Sequence, residues 1–195
     1  MYPNHRMQFP LPTAWFSPSA AYLNHRIEMT LSPLQQFGPR VAVIAIIQDD
    51  EGRVCTGRRI GTLGGGTLTF PGGHVEFGED IFTCVERETL EESGLAVKAV
   101  RVVGVTNDFF PENDQPDKLW KHYISIFVDC IRENPAQQPA RMEPNKCEGW
   151  DWMRLEDIKT LALSEDGPKE VFLPVINLFR GNFTAEISSS ISKLA

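Results

Sequence analysis

The sequence predicts an α+β fold in which helices flank a mixed β-sheet. Five segments rich in β-branched and aromatic residues have the composition of strands, and turn-forming stretches such as DDEG, PENDQPDK and RENPAQQP separate them. Three other segments show the apolar spacing of helices, and they interrupt the strands in an irregular order. This order favours a mixed sheet between helices over a regular alternation of parallel strands and crossover helices.

The five predicted strands lie in the central part of the chain. The turn DDEG joins the first two and predicts a β-hairpin. In chain order the strands are VAVIAIIQ, GRVCTGRR, AVKAVRVVGVTNDF, LWKHYISIFVDC and GWDWMRL, at residues 41–48, 52–59, 96–109, 119–130 and 149–155.

Three helices are predicted, over residues 79–93, 155–161 and 169–179. The first begins with Glu79 and Asp80, where the helix dipole favours acids, and Gly94 follows its last residue as a C-terminal cap. The third contains Pro174, which would kink the helix or mark its start.

One domain with a tail at each end accounts for the 195 residues. We expect residues 1–38 to be an irregular or disordered leader, because they are rich in proline and show no periodicity. Residues 39–182 are expected to form the domain, and residues 183–195 a flexible C-terminal tail. The leader is poor in acids, so a mitochondrial targeting segment is an alternative to an inert tail.

Charge and cysteine content exclude several classes of protein. The net charge of −7 argues against binding to nucleic-acid polymers or anionic membranes. The longest apolar run, VAVIAII, is far too short to span a bilayer. The four cysteines contain no CxxC pair, which favours reduced thiols and a cytoplasmic, intracellular protein. The sequence does not set the oligomeric state, and a homodimer is one option.

A cluster of carboxylates near the end of the first predicted helix is the main functional signal. Glu88, Glu91 and Glu92 are spaced i, i+3 and i+4, so they share one face. The neighbouring apolar stripe consists of Phe82, Val85 and Thr89. Acids at the C-terminal end of a helix repel one another and are disfavoured by the helix dipole. A hard divalent ion such as Mg²⁺, which binds oxygen ligands, would offset this repulsion. A solvated acidic face is the alternative, and the three acids alone favour it.

The residues around this cluster resemble the loop–helix box of the Nudix (MutT-type) hydrolases. That box reads Gly, five residues, Glu, seven residues, Arg-Glu, two residues, Glu-Glu, one residue, Gly and an aliphatic residue. The matching residues here are Gly73, Glu79, Arg87, Glu88, Glu91, Glu92, Gly94 and Leu95. Thr89 departs from the box, where an aliphatic residue is common, and this should affect packing more than chemistry. The similarity covers residues 41–161 and extends to eukaryotic nucleoside-triphosphate diphosphatases of the MutT-homologue type.

The resemblance implies an α/β/α sandwich and the hydrolysis, by water, of a diphosphate linked to another group. It also implies Mg²⁺ as cofactor, with Mn²⁺ as an alternative, held by Glu88, Glu91, Glu92 and the Gly72 carbonyl. One of these acids, with Glu88 preferred and Glu91 as a further candidate, would orient or deprotonate the attacking water. Arg87 would orient a glutamate of the box, and its alternative role is an ordinary surface ion pair.

Substrate contacts are expected on both sides of the glycine turn. Arg59 ends a predicted strand just before the Gly-rich segment, where it could bind a triphosphate or simply be solvated. Gly73 and His74 follow the turn and could face the phosphates. We expect Trp150 and Trp152 to lie on opposite faces of a strand, so that one lines a base pocket and the other joins the core.

Acids outside the box are weaker candidates. Glu148 and the acids of NDFFPENDQPD, residues 107–117, are candidates for extra ligands or water activators, with a solvated loop as the alternative. Glu79 is expected to be structural. The segment GTLGGGT is not a P-loop, because Thr67 stands where lysine is required. No serine or cysteine lies in a nucleophile-elbow sequence.

The leading hypothesis is a Mg²⁺-dependent diphosphatase that converts ribo- or deoxyribonucleoside triphosphates, oxidised or modified ones included, to the monophosphate and pyrophosphate. An ADP-ribose or dinucleotide-type pyrophosphatase is the alternative enzyme, and Pro111 is similar to a marker of that branch. A non-catalytic Nudix module that binds a nucleotide is a third option, against which the intact box speaks. Base selectivity depends on pocket shape, which one sequence does not show.

Overall fold

The structure is a computed structural model, and it describes residues 38–61, 63–110 and 121–181. These residues belong to a compact unit that begins at Gly38. Residues 1–37 of the predicted leader, the predicted C-terminal tail, Pro111 and the acids at positions 112, 114 and 117 lie outside the described residues. The predicted division into leader, domain and tail therefore stays a prediction.

Seven strands and four helices form the described part of the chain. The strands are β1 (Arg40–Ile47), β2 (Arg53–Arg59), β3 (Leu68–Thr69), β4 (Gly72–His74), β5 (Val97–Phe110), β6 (Lys121–Arg132) and β7 (Cys147–Arg154). The helices are α1 (Ile81–Ser93), α2 (Leu155–Leu163), α3 (Gly167–Glu170) and α4 (Leu173–Arg180). The five predicted strands are confirmed, whereas β3 and β4 are too short to show a periodic pattern. None of the described helices is long and apolar enough to cross a membrane.

The strands form two sheets. A mixed sheet has the order β4-β1-β6-β5, with β1 parallel to β6 and the other pairs antiparallel. A second, antiparallel sheet has the order β3-β2-β7. The predicted hairpin is confirmed at the turn, where Gln48 and Val54 form an antiparallel bridge and the Asp49 N–H donates to the Arg53 carbonyl at 2.9 Å, but β1 and β2 then join different sheets. Strand β1 pairs with β6 along one edge and with β4 at Ala42–Ile44 on the other, and β2 pairs with β3 and β7 instead.

Strand β1 lies at the centre because it is apolar on both faces. Ile44 and Ile46 pack into a core cluster with residues of α2 and α4. Val43 and Ala45 point the other way and pack with residues of α1 such as Val85. Burying each large aliphatic side chain contributes about 1.5–3 kcal/mol. Helices therefore cover both faces of the mixed sheet, which is the predicted sandwich.

Helix α1 begins two residues later than predicted. Asp80 is its N-cap, because its carboxylate accepts a 2.8 Å hydrogen bond from the Phe82 N–H. Gly94 ends the helix at φ 71°, a left-handed conformation that glycine adopts readily. Glu79 thus lies outside the helix, where its carboxylate is free to bind other partners.

The helix predicted over residues 169–179 is divided in two. Helix α3 ends at Glu170, Val171 and Phe172 intervene, and α4 begins at Leu173. Pro174 lies in the first turn of α4, where its missing N–H costs no helical hydrogen bond. Pro174 was predicted either to kink a helix or to mark its start, and it marks the start of α4.

Candidate functional site

A cleft of about 230 Å³ opens where β1, β4 and β6 meet the C-terminal half of α1. Its lining contains two distinct groups of residues. The acidic side is formed by Gly72, Gly73, Glu88 and Glu92. The aromatic side is formed by Leu63, Phe110, Tyr123 and Phe172.

Two glycines let the strand β4 approach its neighbours closely. A methyl group at Gly72 would clash with the backbone carbonyl of Val43 in β1, and one at Gly73 would clash with the carboxyl of Glu88. The Gly72 N–H also donates a 3.0 Å hydrogen bond to Glu92 Oε2. The turn FPGG therefore needs glycine at these positions because the backbone of β1 approaches Gly72 and the Glu88 carboxylate of α1 approaches Gly73.

The two acids of the acidic side lie in a poorly hydrated environment. Glu88 is buried. Burial raises the pKa of Glu92 to about 7, and the neighbouring Glu88 adds to this, while the hydrogen bond from Gly72 opposes it. Negative charge at this side of the cleft is therefore costly without a cation.

Arg87 lies outside the cleft lining and binds the carboxylates of three glutamates. Its Nε and Nη2 donate to the two carboxylate oxygens of Glu79 at 2.8 and 2.9 Å. Its Nη1 donates to Glu88 at 2.9 Å and to Glu91 at 3.2 Å. The bidentate bond from Arg87 lowers the pKa of Glu79 to about 2, and the pKa of Arg87 is raised in turn. Arg87 thus links the loop before α1 to the carboxylates of the helix.

The three acids that share a helix face do not share an environment. The side chain of Glu91 is 52% exposed, against 12% for Glu88, and Glu91 is not part of the cleft lining. Within the described ranges, no three His, Cys, Asp or Glu side chains are gathered closely enough to hold a metal ion. The structure therefore brings Glu88 and Glu92 into the cleft and leaves Glu91 at its outer margin.

This donor set fits a hard divalent ion that is bound in part by its substrate. Glu88 and Glu92 supply carboxylate oxygens to the cleft, and a Glu91 oxygen lies 3.2 Å from the Arg87 nitrogen that also binds Glu88. Mg²⁺ commonly takes one or two carboxylates and completes its shell with water and substrate phosphates. A complete protein cage is therefore not required.

The rings of the aromatic side pack against one another. Phe110 packs edge-on against Tyr123 with ring centroids 5.7 Å apart, and it lies 5.3 Å from the Phe172 centroid. His74 Nε2 lies 3.3 Å from the Tyr123 hydroxyl. The pKa of His74 is lowered because the ring loses hydration and because Arg40 is near. A neutral His74 can thus donate a hydrogen bond to the Tyr123 hydroxyl or accept one from it within the cleft lining.

Two cationic side chains complete the lining. The Arg59 guanidinium lies 4.2 Å from the Phe172 ring centroid, its Nε donates to the Leu63 carbonyl at 3.1 Å, and burial lowers its pKa. Lys146 Nζ lies 2.8 Å from a Glu143 oxygen, which raises the Lys146 pKa. Arg59 was a sequence candidate, whereas Lys146 was missed because it precedes β7 in a stretch without periodicity.

The two tryptophans of β7 lie on one face, so the expected opposite faces are wrong. Residues two positions apart in a strand point the same way, and both rings pack against one core cluster. Trp150 also lines the cleft, and its Nε1 donates a 2.9 Å hydrogen bond to the Glu92 carbonyl. Trp152 does not line the cleft, and its Nε1 donates to Gln138 at 2.8 Å.

Of the candidate acids outside the box, the structure describes Asp108 and Glu148, and neither is in the cleft lining. Glu148 is exposed on β7. Asp108 is fully buried and accepts hydrogen bonds from three side chains, so it is not part of a solvated loop. Sequence reasoning missed Phe110, Tyr123, Ser125 and Phe172, because only the pairing of β5 with β6 and the return of the chain into α4 bring them together.

Comparison with known proteins places this site in a family. The NUDIX domain family matches residues 38–174. The chain is 28% identical over 176 residues to the m7GpppN-mRNA hydrolase NUDT17 of Bos taurus, an alignment that covers 85% of the chain and 58% of the relative. It is 28% identical over 156 residues to an RNA pyrophosphohydrolase of Caulobacter vibrioides, covering 75% of the chain and 87% of the relative. The chain spans between 53% and 58% of the length of the NUDT17 proteins it matches.

Solved structures show the same fold. The MutT protein from Methanosarcina mazei Go1 has a TM-score of 0.56 at 22% identity, covering 75% of this chain and 97% of that one. A NUDIX hydrolase from Nitrosomonas europaea has a TM-score of 0.55 at 19% identity, covering 81% of this chain and 97% of that one. With the box on β4 and α1 and a family match over most of its length, the chain belongs to the Nudix (MutT-type) hydrolase family.

Proposed function

We propose that this chain hydrolyses nucleoside triphosphates, ribo or deoxyribo and including oxidised or modified ones, to the monophosphate and pyrophosphate. The observation that carries the proposal is the composition of the cleft. Its acidic side suits a divalent ion and phosphates, and its aromatic side suits a planar base, within one cavity of about 230 Å³. A nucleotide is a ligand that has both parts.

Glu88 and Glu92, with the Gly72 carbonyl and the outer Glu91, would hold Mg²⁺, or Mn²⁺ in its place. When bound, such an ion offsets charge on the phosphates and lowers the pKa of a coordinated water. Oxygen ligands from the protein alone are too few for a full shell, so the affinity for the ion should rise when a nucleotide is present.

Glu88 is the residue proposed to orient or deprotonate the attacking water, with Glu91 as the second candidate. Burial and the 2.9 Å bond from Arg87 hold the Glu88 carboxylate in one place. Arg87 is itself fixed by its two bonds to Glu79. Such positioning supplies much of the catalysis in phosphoryl transfer.

Five residues are proposed to contact the substrate. Arg59 and Lys146 would offset phosphate charge from the cleft wall. The backbone of Gly73 and the ring of His74 would lie beside the phosphates. Trp150 would contact the base or ribose from β7.

An RNA 5′ end is the second candidate substrate. The observation in its favour is that matching relatives are named as an m7GpppN-mRNA hydrolase and as RNA pyrophosphohydrolases. A net charge of −7 gives no general attraction for an RNA backbone, so the free nucleotide remains the first choice.

A substrate panel tests the proposal. Purified protein is incubated with dGTP, dCTP, ADP-ribose, capped RNA and 5′-triphosphorylated RNA, with Mg²⁺ or with EDTA, and products are separated by ion-exchange chromatography. The proposal expects Mg²⁺-dependent release of pyrophosphate from at least one triphosphate. Cleavage confined to ADP-ribose or to RNA would replace the first choice, and nucleotide binding without turnover would indicate a binding module.

A homodimer and a cytoplasmic location stay predictions. Light scattering of the full chain would measure the mass of the particle, and microscopy of a tagged full chain would locate it.

A further inference from the structure

A buried carboxylate organises the polar groups behind the aromatic side of the cleft. Asp108 of β5 is fully buried. Its Oδ2 accepts hydrogen bonds from the hydroxyls of Thr106, at 2.8 Å, and Ser125, at 2.6 Å. Its Oδ1 accepts one from the side-chain amide of Asn177 in α4, at 2.8 Å. A fully buried carboxylate is costly unless neighbours donate to it, and here three do.

Of these three donors, only Ser125 is also part of the cleft lining. It lies beside Ala42 of β1 and Thr106 of β5 in the sheet register, next to Tyr123 on the same strand face. Its single proton is committed to Asp108, and a carboxylate has no proton to give back. Towards the cleft, therefore, the Ser125 oxygen has lone pairs to offer and no hydrogen.

Ser125 is also recessed, with 1% of its surface exposed. An N–H group that is part of a ring does not reach a recessed oxygen as easily as a group that projects from the ring. An exocyclic amino group projects in this way and carries hydrogens for an acceptor to bind. The neighbouring lining residues Ala42, Phe110 and Tyr123 supply mainly apolar surface around it.

We infer that Ser125 is a specificity-determining residue that accepts a hydrogen bond from an exocyclic amino group of the bound base, and that Asp108 is a positioning residue that fixes the Ser125 hydroxyl as an acceptor. The inference rests on the proposed function, because it assumes that the aromatic side holds the base. The preferred substrates are then nucleotides whose base directs an exocyclic amino group towards Ser125.

The test compares pairs of nucleotides that differ by one amino group. Dissociation constants are measured by calorimetry with Mg²⁺ present for GMP against IMP, AMP against purine riboside monophosphate, and CMP against the 4-deamino pyrimidine analogue. The proteins are the wild type, Ser125→Ala, Asp108→Asn and Thr106→Val. Thr106→Val is the matched control, since Thr106 donates to Asp108 but is not part of the cleft lining.

The wild type should bind the amino-bearing member of at least one pair about tenfold more tightly, the size expected when a buried acceptor gains or loses its partner. Ser125→Ala should reduce that ratio to below about twofold, and Thr106→Val should leave it unchanged. Asp108→Asn should abolish or reverse it, because the new amide can donate to Ser125 and turn its hydroxyl towards the cleft.

Equal binding within every wild-type pair, or an unchanged ratio in Ser125→Ala, would overturn the inference while leaving the proposed function intact. Absence of binding by every monophosphate would overturn the inference, and the substrate panel would still decide the proposed function. If Asp108→Asn does not fold, as judged by circular dichroism, Ser125→Ala alone decides the outcome, since it removes one hydroxyl and keeps the carboxylate.

Discussion

At the scale of single residues, Thr89 and Ser93 carry buried hydroxyls one turn apart on α1, and the two differ in their hydrogen bonding. The Ser93 hydroxyl donates to the Thr89 carbonyl at 2.7 Å. The Thr89 hydroxyl is buried and has no hydrogen-bond partner among the residues that the structure describes. Thr89 is also the position where the Nudix box commonly has an aliphatic residue, so the departure noted in the sequence has a cost in stability.

Replacing Thr89 by Val should therefore raise the free energy of unfolding by about 1–2 kcal/mol, because a buried polar group without a partner is removed and its shape is kept. Urea unfolding followed by circular dichroism measures this. Ser93→Ala is the control and should lower the same free energy by about 1 kcal/mol. Equal or lower stability in Thr89→Val would show that the hydroxyl has a partner after all.

Glu79 predicts a pH dependence of stability. Its pKa is lowered from an ordinary 4.5 to about 2 by Arg87, so the ionised form is favoured in the folded state. The stabilisation is present above pH 4.5 and is lost as the pH falls towards 2. Glu79→Gln should accordingly lower Tm at pH 7, and the difference from wild type should shrink between pH 4.5 and 2.

Thermal unfolding at a series of pH values gives these differences. Glu76→Gln is the matched control, an exposed acid in the same loop, and its Tm should track that of the wild type. A Glu79→Gln difference that stays constant with pH would refute the ion-pair explanation.

Sequence spacing predicts which residues share a face, and it does so correctly for the box. It does not predict how deep each residue lies. Glu88 is buried and Glu91 is half exposed because β4 lies against the part of α1 that carries Glu88 and Glu92, whereas the Glu91 side chain lies beside this contact. That difference depends on a strand of three residues, Gly72–His74, which is too short to show a pattern of its own.

At the scale of elements, the contact between β4 and α1 positions the carboxylates of the acidic side. Because the Glu88 carboxyl occupies the space that a side chain at Gly73 would need, Gly73→Ala should displace the carboxylate. We expect kcat/KM to fall at least about 100-fold, the loss that a shift near 1 Å can cause in a positioned group. Steady-state kinetics on the substrate found in the panel measures it.

Gly181→Ala is the control for this change. A methyl group there has contacts no closer than 3.4 Å, and Gly181 lies past the end of α4, outside the cleft lining. Its kcat/KM should match the wild type. Retention of full activity by Gly73→Ala would mean that Glu88 does not act from its present position.

The five longer strands could be predicted from composition because each is long enough to bury a run of β-branched residues. Their pairing could not be predicted. The turn DDEG predicts a hairpin, yet β1 is buried on both faces and takes β4 and β6 as partners, which sends β2 into another sheet. Partner choice is a property of the assembled core and is not encoded in any one turn.

At the scale of the whole molecule, the cleft joins segments that are far apart in the chain. The acidic side comes from one continuous stretch, residues 72–92, and a local motif revealed it. The aromatic side comes from the Gly-rich segment, β5, β6 and the start of α4, and no local pattern links these. The Nudix hydrolase family could therefore be predicted from the sequence, whereas the residues that form the aromatic side of the cleft could not.

The most direct test of the central claim measures pyrophosphate release from the preferred triphosphate by wild type, Glu88→Gln and Glu165→Gln, each with Mg²⁺ and with EDTA. Glu165 is an exposed acid outside the cleft lining, so its variant controls for the loss of one charge. We predict Mg²⁺-dependent release by wild type and Glu165→Gln, and a loss of at least about 100-fold in Glu88→Gln. Equal release by all three proteins, or release that persists in EDTA, would contradict the claim that this cleft is a metal-dependent hydrolytic site.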